Sequence, residues 1–400
     1  MVVGGGIIGL AAARELAARG LSVTLLERDE PGLQASAAAA GMLAPLAEIP
    51  EPGPMFEAAR AARDGWGEFA AEVADEAGLD SPAAFGYDTT GALAVAADDE
   101  TAAALTDLAS AAEELGEPVS EMPLAEARRL VPDLTPDLQR ALHLPGDHRV
   151  DNVAFCQALI TAARSRGVLV QRGSEVESLE ETADGVRLRL AGGGGTGGGA
   201  APRTVDAGAV LLAAGAWSGR LLAAGSGSRG DDAEPGSALP GLLDVSPVRG
   251  QMMSLGDVHW PWTGSVRAGE RYAVRRQSLA NAVRRADTVL VGATVEADAG
   301  FVAENTAAGL ADLTAFVHRL FPGLADRPVR SIWAGLRPGS PDGLPFIGAV
   351  PGLRHTWVAT GHYRNGILLA PWTARRIADL IGGEKTGPES DPFALEGRLG

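Results

Sequence analysis

The sequence predicts an α/β fold: a discontinuous, Rossmann-like cofactor-binding domain with a sheet-rich substrate domain inserted in it. Three observations lead there. A glycine-rich turn, Gly4, Gly6 and Gly9, stands between a strand and a helix. Strands alternate with helices at the start, give way to mostly strands, and return as a final strand–helix unit. A second glycine-flanked turn, GHYRNG (361–366), opens the last helix.

The elements follow in order. Val2 and Val3 end a short first strand, because only three residues precede the glycines. Residues 8–19 carry Ala- and Leu-rich helical spacing, Gly20 stops them, and SVTLLE (22–27) is a buried strand. Helices are expected at 54–78, 98–115 and 123–130, with a strand at 87–96 between the first two. A helix at 151–166 is followed by strands at 168–170 and 210–214. Further strands are read at 246–255, 271–275 and 288–293, then a helix at 304–320, strands at 329–336 and 356–360, and a helix at 366–382. Two stretches are too rich in Gly and Ser to pack and are expected to be flexible loops, 191–202 and 225–240. The expected division gives the cofactor domain 1–82, 150–222 and 330–385 and the substrate domain 83–149 and 241–329, with a tail at 386–400.

Composition narrows the function. The 400 residues suit two interleaved units rather than one small core. A net charge of −17 argues against nucleic acid and anionic membrane surfaces as partners. A single cysteine, Cys156, excludes an internal disulfide framework, and its setting in NVAFCQALI predicts a core helix position. No apolar run approaches the ~20 residues of a membrane span, so the chain is expected in the cytoplasm, away from membranes. No metal site is expected.

The opening glycines allow a tight turn and a close approach of backbone to a pyrophosphate, which the helix N-terminus then faces. Glu27, eighteen residues after Gly9, ends the next strand, where its carboxylate can accept ribose hydroxyls. This fingerprint does not separate NAD from FAD. Near the C-terminus, WAGLRPGSPDGLPFIG (333–348) holds Arg337 before a proline, extended at a strand end. A guanidinium there can grip a carboxylate bidentately, although an Arg beside Pro and Gly also suits a plain loop. Arg364 in the second glycine turn could meet ligand or solvent.

These segments carry a family likeness. GGGIIGLAAARELAARGLSVTLLER, then ASAAAAGMLAP (35–45), then GLRPGSPDGLPFIG with GHYRNGILLAP resemble the glycine oxidase branch, of the thiamine-synthesis ThiO type, in the FAD-dependent amino-acid oxidase (DAO) family. Weaker similarity runs through RVDNVAFCQAL, Val176 and AAGAWSG. The resemblance implies FAD as cofactor, with Gly4, Gly6, Ile7, Ile8 and Gly9 around the pyrophosphate. Glu27 and Arg28 would hold the adenosine ribose, and Val176 would meet the adenine. Ala35, Ser36, Ala40, Gly41 and Met42 would line the path to the flavin, and His362, Tyr363, Arg364, Asn365, Gly366, Ile367 and Leu368 would cradle the isoalloxazine. Arg337, Tyr272 and Arg364 would bind substrate. The tyrosine is ambiguous, because AVRR occurs twice and spacing alone would give its place to Asn281; an insertion in that hairpin would keep Tyr272. Val295, where the family often has a larger apolar residue, could widen the pocket.

The implied reaction oxidises glycine to its imine by hydride transfer to flavin, with O2 reduced to H2O2 and no dedicated catalytic acid or base, in the service of thiamine thiazole synthesis. His362 is expected to pack beneath the flavin. The alternatives are a sarcosine or D-amino-acid oxidase or dehydrogenase, or a non-catalytic FAD-binding scaffold. The resemblance also implies a homo-oligomer, a tetramer in this family.

Overall fold

The computed structural model describes residues 1–192, 202–225, 243–276, 287–383 and 391–399. The first strand, Val2–Val3, runs into the helix Ile7–Ala18 and returns as the strand Thr24–Leu26. The two strands pair in parallel, Val2 opposite Leu25 and Val3 opposite Leu26. Gly20 ends this unit at φ +87°, a backbone region that costs a side-chain-bearing residue energy. The helix is Ala-rich because it is sandwiched; Leu10, Ala11, Ala12 and Ala13 are fully buried. Arg14 is buried with them and is neutralised by Glu72 and Glu76 of the helix Pro54–Glu76.

Three distant stretches of chain complete this sheet. Its order is Phe346–Ala349, Thr356–Thr360, Val210–Leu212, Val2–Val3, Thr24–Leu26, Leu169–Gln171. All neighbours are parallel except the first pair. Strands buried on both faces need covers on both. One cover is the helices Ile7–Ala18, Asn152–Ser165 and Gly366–Ile381, which share a core with Pro54–Glu76. The other is the three-stranded sheet Val176–Glu181, Val186–Leu190, Arg203–Ala207.

The second large sheet has eight strands, in the order Val329–Gly339, Ser246–Leu255, Thr288–Gly292, Arg271–Arg276, Ser265–Ala268, Ala92–Ala96, Arg140–Leu144, Ser120–Glu121. The helix Ala307–Leu320 backs it through Leu313, Phe316 and Leu320, beside Trp260 and Phe321.

Several expectations shift. The strand read at 87–96 is only Ala92–Ala96, with Asp88 in an isolated bridge to Arg149. The helix read from 304 starts at Ala307, because Thr306 caps it by accepting the Gly309 N–H at 3.1 Å. The strands Arg140–Leu144, Ser265–Ala268 and Phe346–Ala349 were not predicted. The division at 330 would put Val329–Gly339 with the cofactor domain, yet this strand pairs along its length with Ser246–Leu255 in the eight-stranded sheet. Of the tail, residues 391–399 pack closely: Phe393 and Leu395 are buried, and Arg376 pairs with Asp391. The two Gly-rich loops fall largely at 193–201 and 226–242, outside the described residues. Cys156 is buried in its helix, and burial pushes its thiol up to about 12, so it is inert at neutral pH. Among the described residues no helix is long and apolar enough to cross a membrane.

Candidate active site

The glycine turn fulfils its steric purpose. Gly4 has φ +107°, and a Cβ there would lie 2.4 Å from the Ala213 carbonyl oxygen. A Cβ on Gly9 would lie 2.0 Å from the Gly4 carbonyl oxygen. Only glycine lets the turn, the opening helix and the Val210–Leu212 strand come this close. The Ile7 N–H donates to Ser36 Oγ at 2.9 Å, which ties the helix start to the ASAAAAG segment. Glu27 is buried at its strand end, accepting the Gly5 N–H on Oε2 at 2.6 Å and the Asp29 N–H on Oε1 at 2.9 Å. Its carboxylate is thereby fixed in place at the edge of a long cleft.

That cleft encloses about 1740 Å³ of non-atom space, part of it open to solvent. Its lining runs from the glycine turn and the Glu27 strand end to the Val329–Gly339 strand and the start of the last helix. Glu27, Arg28 and Val176 line one end, and Tyr272, Arg337 and Arg364 the other. Between them lie Gly4, Gly6, Ile7, Ile8, Ala35, Ser36, Ala40, Gly41, Met42, His362, Tyr363, Gly366 and Ile367. Three expected residues do not line it. Gly9 faces the turn behind it. Asn365 and Leu368 are buried elsewhere, and the Leu368 carbonyl accepts the Trp66 indole N–H at 2.7 Å.

The final helix, Gly366–Ile381, begins at this cleft with no side-chain cap on its first N–H groups. Its positive end suits negative charge on a bound ring. Tyr363, just before it, holds φ +48°, a strained value for a non-glycine residue. His362 is buried with Nε2 3.0 Å from Thr373 Oγ1, and burial pushes its pKa down to about 3. It is a neutral packing residue.

Arg337 extends from the strand Val329–Gly339 and lies across Gly250, where a Cβ would come within 2.3 Å of the guanidinium. Its Nη1 donates to the Thr294 carbonyl at 3.1 Å, and among the described residues it has no acidic partner. Tyr272 is buried beside it, donating to Met252 Sδ at 3.4 Å; burial raises its phenol pKa against the opposing charges of Arg337 and Arg364. Arg364 is different: Glu48, itself buried, meets it at 2.6 Å and Arg267 at 3.3 Å. Arg337 is thus the uncompensated cation at this end.

Tyr272 pairs opposite Gly292 on the neighbouring strand and faces the cleft. Asn281 lies outside the described residues. Val295 is 41 % exposed and does not line the cleft, so the idea that it widens the pocket is not supported by its position. Sequence reasoning missed Glu48, Met252 and Gly250. Gly250 carried a usable signal, a glycine inside a strand pattern; Glu48 in LAEIPEPG looked like any acidic surface loop.

Fold and cleft together suit a dinucleotide-dependent oxidoreductase, with a glycine turn and a buried carboxylate at one end, a helix N-terminus beside them and a cation without an acidic partner at the other. Residues 1–380 match the family described as FAD dependent oxidoreductase (DAO). The chain is 37% identical over 400 residues to glycine oxidase of Pseudomonas aeruginosa, covering 100% of this chain and 99% of that protein. It is 34% identical to the bifunctional protein ThiO/ThiG of Synechocystis sp., covering 98% of this chain and 53% of that one. The crystal structure of glycine oxidase from Geobacillus kaustophilus superposes with a TM-score of 0.82 at 30% identity, covering 100% and 98% of the two chains. The chain belongs to the FAD dependent oxidoreductase (DAO) family, and it is an FAD-dependent enzyme. The residues fit that cofactor: the Gly4 turn admits no side chain, and the cleft is lined from the buried Glu27 carboxylate to the start of the last helix.

Proposed function

We propose that this protein oxidises glycine, or a similarly small amino acid, to its imine for thiamine thiazole synthesis, with O2 as the electron acceptor and H2O2 as product. The observation that carries the reading is Arg337, an unpaired guanidinium facing a cleft that also holds Tyr272. Its planar fork binds the substrate carboxylate bidentately and so fixes the position of the adjacent carbon. Tyr272 offers its hydroxyl to the same carboxylate. Arg364, neutralised by Glu48, shapes the wall. FAD, when bound, supplies the acceptor for the hydride leaving that carbon. Glu48 is engaged by two arginines and His362 by Thr373, so neither takes the substrate's proton; the amine sheds it to solvent. Full-length likeness to glycine oxidases supports glycine as the substrate.

We also propose the site residues named above as cofactor contacts, a domain division that moves 330–339 to the substrate side, a cytoplasmic location, and a homo-tetramer. The test of function is anaerobic. Glycine should bleach the yellow enzyme, and air should restore the colour with release of peroxide. A flavin that ignores glycine but bleaches with sarcosine or a D-amino acid would overturn the substrate.

A further inference from the structure

The nucleotide end of the cleft carries an alternation of cations and rings that the reaction itself does not use. The Arg28 guanidinium lies 4.1 Å from the Trp217 ring centroid. Trp217 meets Phe301 at 5.3 Å between centroids, tilted by 53°. The Arg220 guanidinium lies 3.5 Å from the Phe301 centroid. Arg28, Trp217 and Arg220 all line the cleft.

The partners come from different sheets. Trp217 and Arg220 follow the strand Val210–Leu212 of the six-stranded sheet, on the turn Gly215–Trp217 and the helix Ser218–Gly225. Phe301 follows the turn Ala297–Ala299, which the Arg249–Glu296 bridge fastens to the eight-stranded sheet. The contact therefore joins the two sheets beside the cleft that Trp217 and Arg220 line. Charge points the same way. Arg220 has no acidic partner among the described residues, in a chain of net charge −17. Glu27 and Glu175 also line this end and repel an anion. A doubly charged pyrophosphate at this end gains from a free cation beside the helix N-terminus, and a ring face holds an exposed guanidinium at little cost in its hydration.

We propose that Arg220, Phe301 and Trp217 form a clasp that retains FAD: Phe301 holds Arg220 where its charge serves the pyrophosphate, and its contact with Trp217 closes the two sheets over the nucleotide. The test is release of FAD from the holoenzyme, followed by free-flavin fluorescence on dilution at low and high salt. Arg220→Ala and Phe301→Ala should each speed release roughly three- to tenfold, the range of an exposed cation–π contact with added charge attraction. Arg220→Ala should also lose part of the salt dependence. The double variant should release FAD no faster than the faster single, because both remove one shared interaction. Phe301→Leu, which keeps apolar bulk without a ring face, should behave as Phe301→Ala does and guards against a mere packing defect. Parent-like release in the single variants, strictly additive effects, or a parent-like Phe301→Leu would each overturn the clasp.

Discussion

Arg337 and Arg364 share one cleft but differ in what faces them. Glu48 cancels Arg364, whereas Arg337 meets the Thr294 carbonyl and the Tyr272 hydroxyl and, among the described residues, no carboxylate. Arg337→Ala should keep its flavin spectrum and lose kcat/KM by roughly a hundredfold or more, since two charge-assisted hydrogen bonds are worth about 1.5–3 kcal/mol each. Full activity in that variant, measured by oxygen uptake, would sink the clamp. With Glu48 held by two arginines and His362 by Thr373, kcat/KM should rise about tenfold per pH unit towards the amine pKa of the substrate. No break from His362 is expected in the neutral range, because burial keeps it neutral down to about 3. Asp147 titrates differently. It is buried, and burial pushes its pKa from 3.8 to about 7 against the opposing charge of Arg267. The folded state then keeps a proton that the unfolded chain releases above its ordinary carboxylate pKa. Stability from this group is full below that pKa and falls as pH rises to about 7. Asp147→Asn should flatten the curve and gain on the order of 4 kcal/mol at pH 8; urea melts at pH 5 and 8 that keep the parent's difference would disprove it. Arg337 was singled out through the family likeness, since its Pro and Gly neighbours alone also suit a plain loop, and it does line the cleft. Glu48 and Asp147 were not, because only burial distinguishes them from the other acidic residues.

At the scale of elements, legibility followed periodicity. The strands at 246–255 and 356–360 match the reading residue for residue, since each is a β-rich run bounded by turn residues. Arg140–Leu144 and Ser265–Ala268 escaped it; they are short and gain their pairing from Ala92–Ala96, far away in the chain. Tertiary pairing, not local propensity, makes such strands. The glycine turn is the opposite case, where local sterics dictate the element. Gly9→Ala would place a methyl 2.0 Å from the Gly4 carbonyl oxygen, so the helix must back away from the sheet. The expected result is loss of FAD binding with the far-UV helix signal largely kept, read by gel filtration with absorbance at the flavin band. A variant that elutes yellow would refute the close-approach argument.

The order of the six-stranded sheet could not be read from sequence, because its strands come from stretches of chain hundreds of positions apart and their pairing is decided by which faces can be covered. What could be read was the return of a strand–helix unit at the C-terminus, which closes that sheet beside its first strand's neighbour. The result places the cleft between two cores: Gly4, Glu27 and Val176 belong to one side, Gly250, Tyr272 and Arg337 to the other. A ligand in such a cleft binds the native arrangement of both sheets and has no counterpart in the unfolded chain, so cofactor and fold are linked thermodynamically. Excess FAD should therefore raise the melting temperature. At a hundredfold excess over Kd the gain is about 2.7 kcal/mol. Spread over the unfolding entropy of a 400-residue chain, that is about 3 °C. The shift should grow with the logarithm of FAD concentration and vanish in Gly9→Ala, which keeps the sheets but not the site. A melting temperature indifferent to FAD in the parent would mean that the cleft does not span both cores in the way its lining residues require.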